Sequence, residues 1–315
     1  MRTSFPGKGS GFSQRWLLMA GVVFLISGAG SVAGQTQQPA PSQPAPAGAS
    51  NGYAGQAVCE TCHADVAKDF PNNPHSQLAL EHQGHGATCE SCHGPGQAHV
   101  EGGGDVTKIF RFEKATAKQV NKTCLSCHAG THPNFVHSPH GEAGLSCISC
   151  HSVHHARTPS FLLVSAQPTL CYQCHQSVQD HFEMPFHHPV PEGMLKCSDC
   201  HDPHGSFHPN QLLATADQNA ICTKCHTETA GPFVYEHPVV RTEGCLMCHS
   251  PHGSPNPRLL KVSNVNTLCL QCHTASMTFL APGTPSFHNQ NAQYVACTNC
   301  HTQIHGSNSS NVFFK

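Results

Sequence analysis

Every cysteine in the chain falls in one five-residue pattern. Cys-x-x-Cys-His recurs at Cys59/Cys62/His63, Cys89/Cys92/His93, Cys124/Cys127/His128, Cys147/Cys150/His151, Cys171/Cys174/His175, Cys197/Cys200/His201, Cys222/Cys225/His226, Cys245/Cys248/His249, Cys269/Cys272/His273 and Cys297/Cys300/His301. These ten copies use all 20 Cys of the 315 residues, where chance at the same residue frequencies gives about 0.1 copies. Two thiols three positions apart lie on one face of a helical turn. There they can form thioethers with the two vinyl groups of one porphyrin, and the adjacent His reaches the iron from the same side. The pattern reads as c-type haem attachment, so ten covalently bound haems with ten proximal His are expected.

Other uses of Cys-x-x-Cys explain less. A zinc ribbon needs two pairs per tetrahedral site and gives no reason for His to follow the second Cys each time. A scaffold of ten disulfides would not demand the His, and a thioredoxin-like redox pair needs one motif in an α/β context. Composition agrees that a ligand organises the chain. Apolar residues are 38% against roughly 45–50% in ordinary globular chains. Charged residues are only 11%, and 27 Gly and 24 Pro punctuate the sequence. The expected fold is a multihaem cytochrome c, mostly irregular with short α-helices, built as an elongated haem chain with little or no β-sheet. Without haem the apolar inventory does not offset the entropy of ordering the backbone, so the apoprotein is expected to be unfolded.

Odd-numbered motifs follow short helical stretches with polar starts, such as Thr215 to Cys225 and Ser263 to Cys272. Even-numbered motifs have a His before and a His after. His188-Pro-Val and His237-Pro-Val precede Cys197 and Cys245, and Asp202-Pro-His-Gly and Ser250-Pro-His-Gly follow them. From Cys147 the even motifs recur in steps of 50, 48 and 52 residues, the range of a repeated supersecondary unit. Five tandem two-haem units therefore occupy residues 53–315.

Of 28 His, ten lie in the motifs and 18 do not. One upstream and one downstream His per unit gives the distal set His75 and His99, His140 and His154, His188 and His204, His237 and His252, and His288 and His305. All ten irons then carry two imidazoles. A downstream His three or four positions past its motif cannot reach the far face of its own haem, so it serves a neighbouring one. His187 competes with His188, His137 with His140, and His82 and His85 with His75. His132, His155, His181 and His208 read as exposed or packing residues. Past the leader only Met184, Met194, Met247 and Met277 remain, and packing is their ordinary role. Uniform bis-His ligation implies low potentials.

Residues 1–34 read as a secretory signal: Arg2, Lys8 and Arg15, an apolar run from Trp16 to Ile26, then small residues. That run is shorter than the ~20 residues a spanning helix needs. Residues 35–52 are a Gln/Pro/Ala-rich linker. Removing the leader leaves 13 basic against 18 acidic side chains, a net charge of −5, which does not suggest a nucleic-acid partner. No later apolar stretch is long enough to span a membrane, so association with one is expected through a partner.

About 28 residues per haem cannot insulate ten porphyrins from one another. Electron transfer along the haem chain is the expected function, with no catalytic residue. Glu90 to Val100, Phe186 to Gly205, Glu236 to Gly253 and Cys300 to Asn308 carry a resemblance to the decahaem cytochromes of the MtrA/DmsE family, extending over roughly residues 53–315. The resemblance implies export to the periplasm, paired-His ligation of ten haems, and insertion into an outer-membrane β-barrel porin. Such a conduit relays electrons between the periplasm, including other multihaem or quinol-oxidising cytochromes, and acceptors or donors at or outside the outer membrane. A polar barrel lumen lets a protein without an apolar band cross the membrane. A soluble periplasmic shuttle, a store of electrons and a polymeric wire are the alternatives. A multihaem reductase needs an iron with an open position, and the His inventory leaves none.

Overall fold

A computed structural model describes residues 52–81, 87–158, 160–213, 217–273 and 296–315. The leader, most of the linker, and His82, His85, Met277 and His288 lie outside these residues.

Among the described residues the backbone is mostly irregular, interrupted by short α-helices and single 3-10 turns, with one sheet of two strands, Tyr235–Glu236 antiparallel to Gly306–Ser307. The longest described helix, Ala117–His128, starts at a capping box: Thr116 Oγ1 accepts the Gln119 N–H and the Gln119 side chain accepts the Thr116 N–H. Helix Val265–Leu270 starts at Asn264, whose Oδ1 accepts the Asn266 and Thr267 N–H groups. Even-numbered motifs from the fourth on open with a 3-10 turn, as at Cys147–Ser149 and Cys197–Asp199.

Among the described residues the buried apolar side chains are Val120, Phe135, Leu163, Phe182 and Val190. Five such residues bury far too little apolar surface to order a chain of this length. Polar groups do much of the joining. Asn121, Asn219 and Asn266, all under 10% exposed, stand three positions before an odd motif. Their Oδ1 atoms accept the backbone N–H of Cys147, Cys245 and Cys297 at 3.0, 2.9 and 2.7 Å, tying each odd motif to the even motif after it. In the third unit Gln167 does this, accepting the Ser198 N–H at 3.1 Å.

Contacts between units rely on glycine. A Cβ at Gly253 would overlap the His181 carbonyl, and one at Gly205 (φ +113°) would press on Ser138 and Asn134. These are the glycines of the Ser250-Pro-His-Gly and Asp202-Pro-His-Gly repeats, so the repeat spells a close backbone approach as well as a His.

Candidate haem sites

Each motif is one closed turn. In the eight whose bond lies outside a longer helix, the His N–H donates to the carbonyl of the first Cys at 2.9–3.1 Å, as in His151 to Cys147. That bond sets the two thiols and the imidazole on one side of the turn.

The thiols also meet one another in chain order. Within units Cys59 lies against Cys89, Cys124 against Cys147, Cys171 against Cys197, Cys222 against Cys245 and Cys269 against Cys297. The thiol interaction pulls Cys147, Cys197 and Cys245 down to about 7 and pushes their partners up. Between units the second thiols of Cys92, Cys150, Cys200 and Cys248 are pushed up, first by burial and also by Cys127, Cys174, Cys225 and Cys272. Nine electrostatic neighbourhoods thus link ten motifs without a skip.

Two motif thiols stand outside this line. Cys62 and Cys300 are both exposed, and among the described residues neither lies against a thiol of another motif. The sulfur of Cys62 accepts only the Thr61 hydroxyl, at 3.8 Å, and its backbone N–H donates to the Cys59 carbonyl at 3.2 Å. The reason is position. Second thiols influence one another across a unit boundary, and Cys62 and Cys300 belong to the first and tenth motifs. Cys62 shares the closed turn of the motif but not the neighbouring thiol.

The distal candidates stand opposite the motif His. Ring centroids lie 6.3 Å apart for His63 and His99, 5.9 Å for His75 and His128, and 6.1 Å for His93 and His154. They lie 6.0 Å apart for His140 and His175 and for His151 and His204, and 6.2 Å for His188 and His226. His201 faces His252 at 6.0 Å, His237 faces His273 at 6.1 Å, and His249 faces His305 at 6.2 Å. Two nitrogens bound to one metal at about 2 Å each are about 4 Å apart, with ring centres roughly an ångström further back on either side. The observed spacing is that of two imidazoles with one iron between them. His288 lies outside the described residues, and among them no distal candidate faces His301.

The pairing has a rule. A downstream His faces the even motif of the preceding unit: His154 with His93, His204 with His151, His252 with His201, His305 with His249. An upstream His faces the odd motif of the following unit: His75 with His128, His140 with His175, His188 with His226, His237 with His273. The first unit has no predecessor, and its downstream His99 turns to its own His63.

Ring nitrogens are oriented for this. His99, His140, His188 and His237 donate Nδ1–H to the carbonyls of Asp105, Pro203, Pro251 and Ile304 at 2.6–2.9 Å. His75 donates instead to Asn73 Oδ1, and Asn73 donates its amide to the Val153 carbonyl. A carbonyl only accepts, so Nε2 stays free as the ligand atom. Even-motif His do the same: His93 to Phe110, His151 to Phe161, His201 to Asn210, His249 to Arg258 and His301 to Val312. Phe161, Asn210 and Arg258 hold left-handed φ of 64°, 54° and 59°, and so does the residue after each. Strained non-glycine backbone repeated at one position marks a functional clamp.

Burial, the first cause in each case, and neighbouring imidazoles hold His75, His154, His237, His252 and His305 below the ordinary imidazole value. His204 is pushed down to about 4 by burial and then by His132, with Asp202 opposing. These rings are neutral at pH 7, as a metal ligand must be.

His187 donates to the Met184 carbonyl and contacts Glu192, leaving His188 to face His226. His140, and not His137, faces His175. Among the described residues no three Cys, His, Asp or Glu converge as a zinc site requires, and the one buried side-chain oxygen without a partner is Tyr172 Oη, inside the fifth motif. A phenol there needs an acceptor that a haem carboxylate supplies. Thiol placement, ring spacing, nitrogen orientation and this orphaned hydroxyl all fit a bis-imidazole c-type haem.

Missed by pattern reading are the clamp carbonyls and the Asn-x-x-Cys amides. A Phe four to six positions before the upstream His of each of the first four units was missed too, as in Phe135 and Phe182, which lie 6.4 and 5.3 Å from His204 and His252. The signals are present, in Asn121-x-x-Cys124, Asn219-x-x-Cys222 and Asn266-x-x-Cys269, and in Pro-Asn-Gln-Leu and Pro-Arg-Leu-Leu, whose second residues stand nine past the motif His.

Comparison with known proteins agrees. A family profile described as a doubled CXXCH motif matches residues 187–231 and 237–278, and one described as cytochrome c-type protein NrfB-like matches residues 89–163. The chain is 38% identical over 232 residues, 71% of its own length and 68% of the relative's, to the multiheme cytochrome MtrA of Shewanella baltica (strain OS185).

Proposed function

The chain belongs to the MtrA family of multihaem c-type cytochromes, and on that premise we propose that it holds ten haems in sequence order and relays electrons along them between the periplasm and an acceptor or donor at or beyond the outer membrane. A bis-imidazole haem supplies a low-potential one-electron couple with no open coordination position. Each motif contributes two thioether sulfurs and a proximal His, the first through Cys59, Cys62 and His63. His75, His99, His140, His154, His188, His204, His237, His252 and His305 contribute the distal nitrogen to the motif His each faces, and His288 contributes it to His301. Clamp carbonyls hold each ring by Nδ1 so that Nε2 keeps its aim through both oxidation states.

The observation that carries this reading is the set of nine imidazole pairs at 5.9–6.3 Å. The chain of neighbouring thiols supports transfer in sequence order, because thioether sulfurs sit at the haem edges.

Residues 1–34 act as the export signal. No helix among the described residues is long and apolar enough to cross a membrane, and a β-barrel porin is the partner that supplies the passage, with other multihaem or quinol-oxidising cytochromes exchanging electrons with the chain. The mature protein is expected to weigh ten haems more than its polypeptide, to show only low-spin iron when oxidised, and to cofractionate with an outer-membrane barrel. A mass short of ten haems refutes the count. Recovery only in the soluble periplasmic fraction refutes the conduit and favours a shuttle.

A further inference from the structure

His132 belongs to none of the nine pairs, yet it lies in contact with one of them. Its ring centroid is 3.9 Å from that of His204, tilted by 31°. Another unassigned imidazole, His155, keeps 6.2 Å from the distal His154. His132 sits on the turn that closes the third motif, its backbone N–H donating to the His128 carbonyl at 3.0 Å. Its ring also lies 6.1 Å from that of His128, inclined by 26°, but His128 already faces His75 at 5.9 Å. Its ring nitrogens make no hydrogen bond among the described residues, so an Nε2 lone pair is available. His204 is held less firmly than most distal rings. Its Nδ1 has only the Asp202 carboxylate, at 3.5 Å, where His140, His188 and His237 have a carbonyl at 2.6–2.9 Å.

Resting on the paired-imidazole reading above, we propose that His132 is a reserve distal ligand for the iron carried at Cys147 and Cys150, able to take the coordination position of His204. The exchange breaks one iron–imidazole bond, that of His204, and forms one, that of His132. Both rings are neutral, so no proton or electron changes hands. The two ligands come from different places. His204 belongs to the third unit, whereas His132 belongs to the second, the unit that carries the iron. The swap makes that iron wholly served from within its own unit, as the iron between His63 and His99 already is. The contact between the second and third units, where Gly205 packs on Asn134 and Ser138, can then open without leaving an iron with a vacant position.

The test is the spin state of the oxidised holoprotein by electron paramagnetic resonance and magnetic circular dichroism. His305 serves as the control, because the imidazoles in its surroundings, His249, His237 and His226, all belong to pairs. H305A is expected to yield one high-spin, carbon-monoxide-binding haem. H204A is expected to remain entirely low-spin and bis-His, H132A likewise, and H204A/H132A to yield one high-spin haem. A high-spin haem in H204A alone overturns the proposal while leaving the pairing intact. Absence of a high-spin haem in H305A overturns the pairing itself. If H204A does not accumulate, H204M replaces it: retention of purely bis-His spectra supports the reserve ligand, and a His/Met signature overturns it.

Discussion

The carbonyl of Pro203 accepts the Nδ1–H of His140 at 2.9 Å across 63 residues of sequence. The next residue but one in that loop is Gly205, and the residue between them, His204, faces His151. One three-residue segment of the third unit therefore orients a ring of the second unit, opposes another ring of it, and makes the close backbone approach between them. Pro251 with His188 and Ile304 with His237 repeat the arrangement at 2.6 and 2.8 Å. Units joined this way are expected to lose stability together, and four measurements bear on that.

Asn219 is 6% exposed, accepts the Cys245 N–H and donates to the Val240 carbonyl at 2.6 Å. N219A leaves both buried groups unpaired and should cost about 1–3 kcal/mol for each. N219D keeps the acceptor and should fall between N219A and the wild type. Thermal unfolding of the holoprotein followed by Soret circular dichroism reads the difference, with haem content unchanged by the pyridine haemochrome assay.

Gly253 leaves no room for a methyl group beside the His181 carbonyl, whereas a Cβ at Gly130 meets nothing within 4 Å. G253A should destabilise by about 1–3 kcal/mol through overpacking at the unit contact. G130A should change stability little, and comparable melting of the two variants would contradict this account of the repeat.

Glu90, 6% exposed, accepts N–H groups of Ala54, Gly55 and Gly96 at 2.8–2.9 Å. Burial alone would raise its pKa, but the three donors outweigh it and hold the carboxyl below its ordinary value. A folded-state pKa below the unfolded one gives stability that is present above the unfolded value of about 4.3 and is lost as pH falls through the folded value. E90Q should therefore be less stable than the wild type at pH 7 by about 1–3 kcal/mol. The gap should close below about pH 4, as denaturant melts across a pH series will show.

Chain made without haem attachment should have no cooperative unfolding transition. Five buried apolar side chains among the described residues cannot offset the ordering entropy. A compact apoprotein by small-angle scattering would refute this.

Much of this molecule was readable before any coordinates. The fold class follows from committing every Cys to one motif, since a chain so poor in aliphatic residues has no other organising principle. The positions of the imidazoles that oppose the motif His were readable from the repeat, because His204-Gly and His252-Gly recur with their flanking residues. Which motif each one faces was not. His252 skips the nearer His226 and faces His201, and local spacing carries no trace of a choice made across a unit boundary. The same blindness hid the difference between Cys62 and the second thiols that do meet a neighbour, since all ten motifs are spelled alike. The clamp was hidden for another reason: left-handed φ at Phe161 and Arg258 contradicts residue preference, and only tertiary bonds to His151 and His249 impose it. The Asn-x-x-Cys spelling at Asn121 stands in the sequence, but its role appears only when Cys147 is folded against it.

A polypeptide is synthesised from its amino end, and here that order imposes a delay. His93 is made early, but His154, the ring opposite it, emerges 61 residues later. Lags of 51 to 56 residues recur at His151, His201 and His249, so the nascent molecule trails a half-finished site behind its growing end. Removing the last unit takes His305 from opposite His249, which makes truncation from the carboxyl end a lesion felt one full repeat upstream.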